Sequence, residues 1–187
     1  GLYKLAYASW LQLLPSEKLE GLANVNNGSF ENPPSGLPFD WAISAGSGVT
    51  AALAAVAGDG GQKALHVAFT GTRAQLDYIR QIVVLPPGDY RLSGQLKGAL
   101  TGRRGMRWRI VCLAPERRLL AQTPMAIGAI EAWRMFELAF AIPKHGCTAQ
   151  ELRLDHDARS TSEKLISGDI WYDDIRIVRV GRTIARQ

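Results

Sequence analysis

The period of hydrophobic and polar positions changes once along this chain. In residues 2–14 (LYKLAYASWLQLL) the apolar side chains recur at three- and four-residue spacing, and Pro15 stops the pattern. That spacing predicts one helix with a broad apolar stripe of Leu2, Leu5, Trp10, Leu13 and Leu14. From about Val25 the period becomes two. Tyr90, Leu92, Gly94 and Leu96 alternate with Arg91, Ser93, Gln95 and Lys97; Trp108, Ile110 and Cys112 alternate with Arg107, Arg109 and Val111; Leu152 and Leu154 alternate with Glu151, Arg153 and Asp155. A strand turns successive side chains to opposite faces, so this pattern marks strands with one buried and one wetted face. Gly- and Pro-rich clusters at residues 26–28, 32–36, 58–61, 86–88 and 102–105 punctuate them.

About ten strands fit between these clusters, with connections too short for crossover helices. A βαβ design is thereby excluded. The expected fold is all-β: an antiparallel β-sandwich of jelly-roll type with one N-terminal α-helix. Residues 1–22 read as helix and linker, and 23–187 as the sandwich. The apolar stripe has to pack on something, either the sandwich or an upstream domain in the same chain, and both readings stand. The chain opens on Gly1 rather than Met, which leaves room for an upstream signal or domain.

Composition narrows the function classes. The 187 residues are 47% hydrophobic and 21% charged, enough for one core and too apolar for a disordered chain. No apolar run approaches the ~20 residues of a membrane helix, so no membrane insertion is expected. The net charge of +5 suits a polyanion, yet the arginines are scattered and no nucleic-acid-binding motif is present, so no nucleic-acid partner is expected. His66, His145 and His156 share no metal-ligand spacing, and no nucleophile–base set can be assembled. His66 reads as solvent-facing or satisfied, and His156 as a solvated turn or part of a binding loop. Cys112 and Cys147 are too far apart for a CxxC motif. They read as buried thiols or as a disulfide, the latter fitting a periplasmic or extracellular protein.

Three segments carry a family resemblance. Asn27-Gly28-Ser29-Phe30-Glu31 resembles the opening strand of galactose-binding-like carbohydrate-binding modules, residues 81–94 (QIVVLPPGDYRLSG) their middle segment, and residues 168–175 (GDIWYDDI) their closing strand. The resemblance spans about Val25 to Val180. It implies a β-sandwich that binds glycans without cleaving them. It also implies first and last strands side by side, with Glu31, Asp173 and Asp174 as ligands of a structural calcium ion. Calcium takes six to eight oxygens, so backbone carbonyls would complete such a set. Counting back from core-facing Ile175 and Ile177 puts Asp173 on their side, making it the better ligand. The alternative is an Asp173 that accepts backbone hydrogen bonds or pairs with an arginine.

For the ligand itself, the polar phase of the central strands is the expected surface. Arg91, Gln95, Arg107, Arg109, Glu137, Arg153 and Asp155 all lie out of phase with the core. If their strands neighbour one another in one sheet, they line a single face able to grip sugar hydroxyls or acidic groups; the alternative is a solvated face of salt bridges. Loop residues near Trp41 and His156 could add to it. Trp108, in phase with Ile110, reads as core and Trp133 as core or rim. With Trp41 and Trp171 added, no row of exposed aromatics emerges. The expected function is a non-catalytic glycan-binding module, with a structural or protein-interaction domain as the alternative.

Overall fold

A computed structural model describes residues 2–20, 22–57 and 62–181 of the chain. The turn signal at 58–61 and Gly1 lie outside the described residues. Helix α1 spans Leu2–Leu13, and a second short helix, α2 (Ser16–Glu20), follows Pro15. Ten strands come next: β1 (Ala42–Ser44), β2 (Val49–Ala55), β3 (Lys63–Arg73), β4 (Tyr78–Val83), β5 (Gly88–Gly102), β6 (Met106–Ala114), β7 (Arg118–Gln122), β8 (Gly128–Ile142), β9 (Ala149–His156) and β10 (Leu165–Arg179). They form two antiparallel five-stranded sheets, in the orders β1-β4-β9-β6-β7 and β2-β3-β10-β5-β8. The two sheets stack as the jelly-roll sandwich that the alternation predicts.

The in-phase residues of both sheets meet in one core. Leu65, Leu92, Ile110, Leu152 and Leu154 are fully buried, and an aromatic chain crosses between the layers. Phe30 packs on Trp41 at 5.1 Å between ring centroids, Trp41 on Trp108 at 5.8 Å, and Trp108 of one sheet meets Tyr172 of the other edge-to-face at 5.5 Å. Edge-to-face rings place a positive rim on a negative face and add to the apolar burial. Trp41 is therefore core, with its Nε1–H donating to the Asn27 carbonyl at 3.0 Å, and is not a binding-loop residue.

Around residues 24–31 the expected strand is a turn. Asn27 and Phe30 both take left-handed backbone angles, and Phe30 N–H donates to the Asn27 carbonyl. This turn is nevertheless laid against the last strand. Gly28 O accepts the Ile175 N–H at 2.8 Å, and a Cβ at position 28 would collide with the Ile175 carbonyl. The glycine is required by that close approach. The buried Gln81 amide clamps the same turn, exchanging hydrogen bonds of 2.8 and 2.9 Å with the Asn26 backbone.

Helix α1 touches the rest through Trp10 and Tyr7, whose rings pack on Phe39 at 5.7 and 5.1 Å. Leu2, Leu5 and Leu13 of its stripe remain exposed. No helix among the described residues is long and apolar enough to cross a membrane.

Cys112 on β6 and Cys147, in the loop before β9, form a disulfide with Cα atoms 5.6 Å apart. It closes a loop of 35 residues, for which the chain-entropy relation gives ~4 kcal/mol of stability. The Cys112→Ala/Cys147→Ala double variant is expected to lose about 3–4 kcal/mol, seen as a lower urea midpoint. A midpoint equal to the parent's would show that the bridge does not constrain the unfolded chain.

Candidate functional site

The seven polar residues expected on one face divide between the two sheets. Arg107 and Arg109 on β6 and Arg153 and Asp155 on β9 face outward from one sheet. Arg91 and Gln95 on β5 and Glu137 on β8 belong to the other. In a sandwich the outer faces of the two sheets point in opposite directions, so no single ligand spans the set. Alternation reports which residues are out of phase, but not which sheet a strand joins.

The β6–β9 face is a closed ion-pair network. Arg109 reaches Asp155 at 3.0 Å and also Asp157; Arg107 meets Asp157 at 2.9 Å and Arg153 meets Asp155 at 2.6 Å. Arg104 lies 3.6 Å from Asp157 and 3.2 Å from Glu163. The buried Glu151 holds Arg80 and Arg117. Asp157 is almost sealed from solvent, with 3% of its side chain exposed. The guanidinium groups are thus engaged by carboxylates of their own chain. Shallow depressions of about 240 and 310 Å³ lie over Arg109, Arg153 and Asp155. His156 borders the first. It is half-buried, packs on Phe69 and bonds the Arg104 carbonyl at 3.3 Å, and burial lowers its pKa. It is more enclosed than a solvated turn.

The opposite face, on β2-β3-β10-β5-β8, carries a row of side chains that the sequence pattern does not announce. Trp171 on β10 stands in register with His66 on β3 and Lys97 on β5. The His66 imidazole stacks on the Trp171 indole at 4.0 Å and 18°. Asp169, next outward-facing residue along β10, accepts the Trp171 Nε1–H at 2.9 Å and lies 3.1 Å from His66 Nε2. Lys97 Nζ lies 4.7 Å from the ring centre of half-buried Trp133 on β8. One indole is therefore fixed in orientation by a stack and a hydrogen bond, a second carries a cation on its ring, and the strip crosses four adjacent strands. Arg91 and Glu137 (3.6 Å apart) stand on the same face. The signal for this row was parity. Trp171 is out of phase with Ile170 and Tyr172, and His66 with Leu65 and Val67, both buried sets.

The carboxylates assigned to calcium gather at one end of that sheet. Glu31 Oε1 accepts the Lys63 N–H at 3.1 Å. A β-bulge shifts the β5–β10 register between Asp173 and Arg176, with Asp174 at φ 52°. The extra residue resets the phase: Tyr172 points inward before it and Ile175 after it. Counting back from Ile175 therefore misplaces Asp173, which is on the outward phase and only partly buried. Asp174 accepts a hydrogen bond from Gln95 at 3.1 Å and pairs with Arg176 at 2.8 Å. Burial, with the charges of Asp174 and Glu31 nearby, pushes the Asp173 carboxyl up to about 6. Among the described residues no group of three or more His, Cys, Asp or Glu side chains converges as metal ligands. The three carboxylates are neighbours without forming a ready cage.

No protein-family model matches the chain, and no curated protein matches it. Solved structures do. A family 4 carbohydrate-binding module is 14% identical, with 83% of this chain and 99% of that one covered at a TM-score of 0.58. A family 16 carbohydrate-binding module is 19% identical over 83% and 99% of the two chains, with a TM-score of 0.57. The module TmCBM61, solved with β-1,4-galactotriose, is 17% identical over 85% and 99%, with a TM-score of 0.54. At these identities the likeness is one of fold: the protein has the β-sandwich fold of carbohydrate-binding modules, nearly module for module in length.

The ion-pair network yields a direct expectation. Asp157→Asn leaves Arg107 and Arg109 short of a sealed counter-charge, and breaking a buried pair from one side costs ~3 kcal/mol. Chemical denaturation should show that loss, and a loss below about 0.5 kcal/mol would place the network with ordinary surface ion pairs.

Proposed function

We propose that this chain is a non-catalytic glycan-binding module whose ligand lies across the outward face of β2-β3-β10-β5-β8. The observation that carries the reading is the Trp171 indole, held in place by His66 and Asp169, in a strip that continues through Lys97 to Trp133. The apolar face of a pyranose stacks on such a ring, while Asp169 and Lys97, which flank the ring, offer hydrogen bonds to its hydroxyls. Trp171 and Trp133 stand two strand spacings apart, roughly 10 Å, so the strip suits an oligosaccharide rather than a single sugar. The arginine face of the other sheet is the weaker surface because its donors already serve its own carboxylates. The solved fold relatives named as carbohydrate-binding modules support the class, and the disulfide supports a periplasmic or extracellular location.

The exposed Leu2, Leu5 and Leu13 favour a second role for α1, docking the module against another domain of a longer chain.

A glycan array should show retention of at least one oligosaccharide by the folded protein. For the best-retained glycan, Trp171→Ala is expected to weaken binding at least tenfold, about 1.4 kcal/mol, while Arg107→Ala/Arg109→Ala leaves it unchanged. The reverse pattern would move the site to the β6–β9 face, and no retention of any glycan would overturn the reading.

At the carboxylate corner the proposal includes a structural calcium ion near Asp173 and Glu31. A bound cation would offset the burial and the carboxylate repulsion that raise the Asp173 carboxyl, and binding to the folded chain alone raises its stability. Calcium is expected to lift the Tm of the parent chain above its value in EDTA and to leave Asp173→Asn unmoved. Identical parent melting in the two buffers rules the ion out.

A further inference from the structure

Between the two sheets, beside the loop that joins β7 to β8, lies a cavity of about 260 Å³. Its walls are largely carbon and sulfur: Leu96, Met106, Met125 and Phe136 contribute, and Trp108 and Tyr172 stand edge-to-face within it. Both of these residues are only 1% exposed. Both also leave their polar atom without a partner, the Trp108 Nε1–H and the Tyr172 hydroxyl. Burial also drives the Tyr172 phenol well above its ordinary pKa, so it remains a neutral O–H donor. A buried donor with no acceptor costs about 1–3 kcal/mol, and here two of them line one hollow. The only charged lining residues, Arg134 and Glu137, lie on the exposed strand β8 and are of opposite sign, so they confer no net charge on the hollow.

We propose that this cavity is a second binding site, distinct from the glycan face, for a small uncharged molecule with an apolar body and one acceptor oxygen. The oxygen accepts from Trp108 Nε1–H and Tyr172 O–H, and the body fills the space between the methionines and Phe136. A buried water is held by two to four polar partners, and the two free donors are set in a mainly apolar wall of Leu96, Met106, Met125 and Phe136. A site built to hydrogen-bond an oxygen also discriminates sharply against the analogue that lacks it.

Acetophenone provides the acceptor, and cumene, its near-isostere without the carbonyl, is the control. Titration of the ¹⁵N-labelled protein should show saturable acetophenone binding, with one buried indole N–H resonance moving downfield. Cumene should bind at least tenfold more weakly. Tyr172→Phe keeps the ring and removes only the orphaned hydroxyl. Its Tm should equal or exceed the parent's, because an unpartnered buried hydroxyl is removed, while its affinity for acetophenone falls about fivefold. Ala126→Leu, which occupies the same space, should abolish binding. Equal affinity for the two probes, an unchanged affinity in a folded Tyr172→Phe protein, or no saturation up to the solubility limit of acetophenone would each overturn the proposal and leave a solvent-filled hollow only.

Discussion

The constraint on which this molecule depends is that each sheet must keep one face dry. Trp41, Trp108, Tyr172, Leu65, Leu92 and Ile110 meet between the layers with almost no exposure. Because side chains alternate, that requirement also dictates the opposite faces, which carry the polar phase of each strand even where, as at Glu151, neighbouring side chains cover it. A slip of one residue in any central pair would exchange the two sets, so register and burial fix each other. The chain departs from strict alternation where it must. At Asp173–Asp174 one additional residue bends β10, and the carbonyl of Gly28 takes up the Ile175 N–H beside the bulge. The first turn of the sandwich and the last strand are joined at this point, which is why three carboxylates crowd there.

The two wet faces follow different logics. On the β6–β9 side, arginines outnumber carboxylates, but the acids are buried and hold them in fixed positions. Most of its guanidinium groups are committed to carboxylates of the same chain, so it supports the sheet more than it offers free donors. On the β3–β10–β5–β8 side the polar groups are fewer and are arranged around indole rings. Asp169 serves two partners at once, His66 and Trp171, and so fixes a ring plane. A fixed ring loses little freedom when something settles on it, which is the property expected of a recognition surface.

Much of the architecture was legible from alternation alone. The phases of β5, β6 and β9 were read correctly because each packs one face on the core and has no bulge in the stretch that was read. The helix ending at Pro15 and the all-β class followed for similarly local reasons. The site was less legible because it depends on which strands are neighbours. Arg91 and Arg109 look alike in one dimension, yet strand order sends them to opposite sides of the molecule. Counting back from Ile175 misplaces Asp173 because the bulge lies between Tyr172 and Ile175; its mark in the sequence is the switch of the apolar phase from Ile170 and Tyr172 to Ile175 and Ile177. Trp171 and His66 were on the outward phase throughout; what the sequence hid was that β3, β10, β5 and β8 lie side by side and line their rings into a strip. Residues 27–31 match the motif of an opening strand. Their backbone instead makes a turn that reaches the same neighbour.

The position of β10 has a consequence for how the molecule is made. It lies between β3 and β5, yet among the described residues it is the last strand in chain order. A chain leaving the ribosome has every strand of the other sheet by His156, while Leu65, Val67, Leu92 and Leu96 still lack the neighbour that separates them. Completion of the second sheet must therefore await β10, whose pairing with β3 closes contacts between segments about a hundred residues apart. Such topologies fold slowly and expose apolar strands while they wait. For the same reason, a stop before Leu165 would remove the middle of a sheet rather than its edge, leaving β3 and β5 each with an open seam.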